Sequence, residues 1–125
     1  MATITRFEEI EAWKTARQLT NLVYGFTAQE KFSRDFGLRD QIRRAAVSVM
    51  SNIAEGFERS HLAEKLQAYN VARGSTGEVR SLSYVIEDNY PVHSDHAVAL
   101  REQANHTGRL LSGLIASTRA RRSTD

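Results

Sequence analysis

This 125-residue sequence predicts an all-α fold, an antiparallel up-and-down four-helix bundle, on three observations. Apolar residues recur at steps of three and four through four long segments, the pattern of amphipathic helices. No apolar/polar alternation persists long enough for a strand, and nothing repeats internally. Seven glycines and one proline punctuate the chain sparsely, so connections are short, as antiparallel neighbours require.

The first helix is expected over about residues 7 to 26, with Ile10, Trp13, Ala16, Leu19, Val23 and Phe26 on one stripe. Charge-rich Thr27 to Phe36, interrupted by Ser33 and Asp35, reads as a loop that can cap the next helix. Leu38, Ile42, Ala45, Val49 and Ile53 carry the second helix to Gly56 or shortly after. Ser60 is the expected cap of a third helix running toward Asn89. Tyr90 and Pro91 stop it, because the residue before proline avoids helical geometry. Ser94 is expected to cap a fourth helix through Ala97, Leu100, Ala104, Thr107, Leu111 and Leu114, at heptad-like spacing. Residues 1–118 form one bundle domain in this reading, and residues 119–125 a basic, disordered tail.

A chain of this length buries a core without staples. With no cysteine, neither a disulfide framework nor a thiolate metal site is available. The start MATITRFEEIEAW lacks a basic segment followed by a long apolar run, and no stretch approaches the roughly 18 apolar residues of a membrane span. The expectation is a soluble cytoplasmic protein without membrane partners, cofactor or metal.

Charge is uneven. The chain has 17 Lys+Arg against 15 Asp+Glu, and the closing RARRSTD accounts for the whole excess. Residues 31 to 59 carry six cations against four carboxylates, and residues 101 to 125 five against two. A polyanion-binding surface therefore belongs on those two segments.

The second helix is too apolar for one partner. Projected at 100 degrees per residue, its apolar residues span an arc of roughly 200 degrees, where a one-sided helix needs roughly 100. Asp40, Arg44, Ser48, Ser51 and Glu55 share the polar stripe, and Arg43 falls within the apolar arc near Met50. The excess face of Val47, Met50 and Ala54 predicts a second packing partner, most simply another copy of the chain. Burial under Phe32 or Phe36 of the preceding loop is the alternative. On the third helix, small residues and the helix-weakening Gly74 and Gly77, each costing about 1 kcal/mol relative to alanine, predict a tight crossing against the alanines of the second. Glu78 borders that stripe, and an Arg43–Glu78 pair, within one chain or between two, would keep both charges satisfied.

Three segments carry a family resemblance: FEEIEAW at residues 7–13 with Ala16; FGL at 36–38 leading into QIRRAAVS at 41–48 and SNIAEG at 51–56; and ARGS at 72–75 with Glu78. On these the chain resembles the four-helix bundle proteins encoded in intervening sequences of bacterial 23S rRNA genes. The resemblance spans most of residues 7 to 78, and the fourth helix matches only in pattern. Met50 stands where that family usually has proline. The resemblance implies a bundle that assembles as a ring, usually a pentamer, without an established catalytic site, and an association with ribosomal RNA inferred from gene location. A related class of bundle proteins assists the reverse transcriptase of diversity-generating retroelements.

Two functions compete. One is a non-enzymatic, RNA-associated ring gripping phosphates with Arg39, Arg43, Arg44, Arg119, Arg121 and Arg122, since guanidinium groups suit phosphate bidentately. The other is a protein-interaction scaffold, or a retroelement accessory protein, without direct nucleic-acid contact. Asn52, Glu55, Arg73 and Glu78 read as structural polar residues. Enzymatic patterns are incomplete. His93 and His96 span a turn into a helix start, Glu58 and His61 imitate half of a ferritin-like motif across a helix break, and Ser48, Ser51 and Glu55 lack a nearby histidine. Trp13 lies on the core stripe, whereas Tyr69 and Tyr84 fall with Arg73 and Arg80 on the polar side, as candidate surface or subunit-boundary residues.

Overall fold

The computed structural model describes residues 3–124, with side chains through residue 121. Among the described residues every element is helical: α1 (Glu11–Thr27), a single-turn α2 (Glu30–Ser33), α3 (Phe36–Glu58), α4 (Leu62–Asn89) and α5 (Ser94–Thr124), with 3-10 turns at Phe7–Glu9 and Pro91–His93. The expected stripes are buried. Leu19 and Val23 of α1, Ile42, Val49 and Ile53 of α3, Val79 and Ile86 of α4 and Leu111 of α5 are all fully enclosed.

Element ends show where side chains override the simple pattern. The first helix starts later than expected, because Ile10 is extended (φ −74°, ψ 123°) and separates the Phe7–Glu9 turn from α1. The Glu9 carboxylate holds that turn, accepting from the Thr5 and Arg6 amides at 2.8 and 3.3 Å. These bonds keep the carboxyl below its ordinary range. The segment read as a loop contains α2, whose Phe32 is fully buried against Phe26 and Tyr90. Asp35 caps α3 by accepting from the Leu38 amide at 3.3 Å. The residue preceding α4 is His61 rather than Ser60, and it makes no side-chain cap. The helix does end at Tyr90, with Pro91 opening the next turn. Where a separate basic tail was expected from residue 119, α5 runs on to Thr124 without a break.

The core divides into two clusters along the bundle. One gathers Phe26, Phe32, Leu38, Ile42, Leu82, Ile86 and Leu100. The other gathers Ile10, Ala16, Val49, Ile53, Tyr69, Leu111 and Ile115. α1 packs on α3 and α5, and α4 packs on the same two helices.

The predicted close approach at Gly74 and Gly77 is not found. A Cβ at either position would meet nothing within 4 Å. The close approach lies at Gly56 instead, where a Cβ would come within 2.6 Å of the Tyr69 ring and 3.1 Å of the Ala68 methyl. Gly56 lets the end of α3 seat against a buried aromatic, a role that the helix-breaking reading of this glycine did not include.

Candidate interaction face on α3

The opening arginines of the RRAAVS stretch separate on adjacent faces. Arg43 turns toward α1, donating to Thr27 Oγ1 at 2.7 Å and lying over the Tyr24 ring with its guanidinium carbon 4.5 Å from the centroid. Both contacts follow from its place at the edge of the apolar arc, where an aromatic face and a hydroxyl replace water around the planar cation. Arg44, one residue on, is exposed and has no hydrogen bond or ion pair with the described residues. An open hollow of about 920 Å³ lies here between α1, α3 and α4. Tyr24, Asp40, Gln41, both arginines and Glu78 line it, with Val47 and the Ser48–Ser75 pair on its wall. Two carboxylates therefore face two guanidinium groups.

The expected Arg43–Glu78 pair is not formed within the chain. Glu78 instead accepts from Gln41 Nε2 at 3.3 Å. Arg43 is satisfied by Thr27 and Tyr24, so no buried charge drives the two together. Ser48 and Ser75 join α3 to α4 at 2.9 Å, and Asn52 donates to the Ser48 carbonyl at 2.9 Å. Glu55 accepts from Arg59 at 2.7 Å one turn on, a contact that holds the guanidinium above its ordinary value. Arg73 donates to Asn70 Oδ1 at 3.1 Å and reaches Ser112 of α5 at 3.5 Å.

The remaining candidate arginines differ in availability. Arg39 is committed locally: it donates to Asp40 at 2.9 Å and to the Ser33 carbonyl at 2.9 Å, and covers the exposed Phe36 ring. Arg119 is exposed on α5, and Arg121 is exposed beside it. The side chain of Arg122 lies outside the described residues. Of the predicted apolar face, Val47 is 37% exposed, while Met50 and Ala54 are half-buried. Met50 packs against the second core cluster and accepts from Thr20 Oγ1 at 3.4 Å. Neither phenylalanine of the preceding segment covers this face, since Phe32 is in the first core cluster and Phe36 is 62% exposed.

Tyr69 corrects the surface reading of α4. It is 2% exposed, and burial pushes its hydroxyl up to about 12. Tyr84 is exposed, yet the Arg101 guanidinium lies 3.7 Å above its ring. Tyr24 was missed as a site residue, although its spacing from Thr20 and Thr27 marks an α1 stripe beside the core stripe, facing α3. His93 and His96 pack on Phe26 with ring centroids 5.6 Å apart. Among the described residues no group of three or more histidine and carboxylate side chains is placed to hold a metal.

Four long amphipathic helices around a shared core define a helical bundle protein, and its distinctive face is the α3 segment carrying RRAAVS and SNIAEG. Residues 8–113 match the model of the family described as 23S rRNA-intervening sequence protein, and the chain belongs to that family. A search of individual curated proteins gives no match. No helix among the described residues is long and apolar enough to cross a membrane.

Proposed function

We propose that this chain is a non-enzymatic, self-associating, antiparallel up-and-down four-helix bundle that binds structured RNA as an assembly, with a pentameric ring as the expected form. The antiparallel order is supported by contacts that pair rising numbers on one helix with falling numbers on the next: Gln41 with Glu78 and Ser48 with Ser75, then Arg73 with Ser112 and Ser83 with Arg101. The observation that carries the functional reading is the outer strip of α3, where the exposed Val47 stands beside the unpaired Arg44. An apolar residue flanked by mixed charge suits a second copy of the same surface, and assembly would multiply each weak basic patch. Arg44 and Arg119 are the better phosphate ligands, because Arg39 and Arg43 are already engaged. The family description points to ribosomal RNA, and a cytoplasmic location follows from that reading.

A scaffold that binds only protein is the second reading. It is favoured by the two carboxylates, Asp40 and Glu78, that share the hollow with the arginines and would repel phosphate.

Light scattering should give a mass several times that of the 14.1 kDa chain, and Val47→Glu should reduce it with helical content retained. Mobility shift with a structured RNA should weaken steeply with added salt, and an Arg44→Gln, Arg119→Gln double variant should lower both affinity and salt dependence. A monomer at micromolar concentration rejects the assembly. Absence of RNA binding at low salt rejects the RNA role and leaves the scaffold.

A further inference from the structure

A second hollow, of about 710 Å³, opens where the chain enters α1, α3 ends, α4 begins and α5 finishes. That volume is within the roughly 300–1,000 Å³ usual for small-molecule sites. Ile10, Phe57 and Leu114 supply its apolar wall.

Tyr69 is the residue that points to a ligand. Its ring is buried in the second core cluster, yet its hydroxyl has no hydrogen-bond partner. Every fully enclosed side-chain nitrogen or oxygen among the described residues does have one. The hydroxyl must therefore meet accessible space, and the hollow is the space that Tyr69 lines. Raised to about 12 by burial, it keeps its proton at physiological pH and is a standing donor.

The polar groups around it favour an anion. Lys65 is held at the edge by the carbonyls of Phe57 and Gly56, at 2.8 and 3.4 Å. An ammonium has three protons to donate. Arg121 adds a second cation, and no carboxylate lines the hollow. Ser117 and Thr118 both donate to the Leu114 carbonyl, which leaves oxygen lone pairs on the wall rather than competing protons.

We propose that this hollow binds a small anionic amphiphile, a medium-chain carboxylate, with its hydrocarbon against Ile10, Phe57 and Leu114 and its carboxylate between the Tyr69 hydroxyl and the Lys65 ammonium. This site is independent of the α3 face and of any RNA role.

The test uses the full chain titrated with octanoate and, separately, with 1-octanol, observed through the methyl resonances of Ile10, Leu114 and Thr118. Octanoate should shift these methyls, leave those of Ile42 and Val79 in place, and bind more tightly than the alcohol. Tyr69→Phe should weaken octanoate about tenfold without changing octanol, the loss expected for one hydrogen bond to a charged group. Because the deleted hydroxyl has no internal partner, this variant should melt like the parent. Leu114→Trp, which fills the hollow, should abolish both. Absence of shifts at millimolar octanoate, equal binding of acid and alcohol, or full octanoate affinity in a folded Tyr69→Phe chain would each overturn the proposal.

Discussion

Near the start of α4 the Tyr69 hydroxyl meets an open hollow without a partner, while just past its end, roughly 30 Å away at 1.5 Å per residue, the Tyr90 hydroxyl donates to Asp35 at 2.7 Å. The same side chain thus closes one end of the bundle and leaves the other open. At the Tyr90 end one carboxylate does two jobs, since Asp35 both caps α3 and receives the hydroxyl. Phe26 and Phe32 pack there at 4.5 Å between ring centroids, and Phe32 touches Tyr90. At the Tyr69 end the wall is shared by side chains from the α3 end, α4 and α5, with no inserted element between them. The difference comes from α2, a single turn whose one buried residue plugs only its own end.

The largest effect should come from removing that plug. Phe32→Ala should cost about 3–5 kcal/mol, the range for deleting a fully buried aromatic side chain. Urea unfolding should show it, and the Tyr90 end should lose amide protection before the Tyr69 end does. Equal loss at both ends would mean that the two core clusters melt as one unit.

Gly56 tests the other end. Gly56→Ala would force a methyl to within 2.6 Å of a buried ring, an overpacking cost of about 1–3 kcal/mol that exceeds the gain of about 1 kcal/mol in helix propensity. Gly74→Ala, where a Cβ meets nothing, should realise that gain and stabilise the chain by about 1 kcal/mol. Paired thermal melts of the two variants should move in opposite directions.

These two glycines also show what the sequence could and could not reveal. Helix-forming stripes were legible because burial repeats with the helical period, and Leu19, Ile42, Val79 and Leu111 all fall where the stripes place them. A glycine's reason is not periodic. Gly74 and Gly77 sit near small residues yet face open space, whereas Gly56 looks like a helix terminator and is the point of closest approach. Phe32 was illegible for a similar reason, as one apolar residue among charges makes no pattern until α2 turns it inward. On the α3 face, the sequence distinguished Arg43 from Arg44 by angle alone. It could not supply the Tyr24 ring and Thr27 hydroxyl that remove Arg43 from the pool of free cations, because those partners lie on another helix.

The smallest effects, and the most direct test of the contrast between the ends, come from deleting each hydroxyl alone. At neutral pH, Tyr90→Phe should cost about 1–2 kcal/mol, because it removes a hydrogen bond to a charged acceptor. Tyr69→Phe should change stability by less than about 0.5 kcal/mol, since no internal bond is lost. Alkaline pH then separates the causes. Both phenols titrate above the ordinary value in the folded chain, Tyr90 chiefly through its bond to Asp35 and Tyr69 through burial. A raised value means that the stabilising contribution is fully present below about pH 10 and is lost as pH rises through the folded value, about 12 for Tyr69. Between those limits the parent should lose on the order of 2 kcal/mol from Tyr69 at about 1.4 kcal/mol per unit, and Tyr69→Phe should flatten that part of the decline. Tyr90→Phe should start lower and keep it. If instead Tyr69→Phe proves costly at pH 7 and leaves the alkaline decline unchanged, its hydroxyl is bonded inside the protein, and the open end is closed after all.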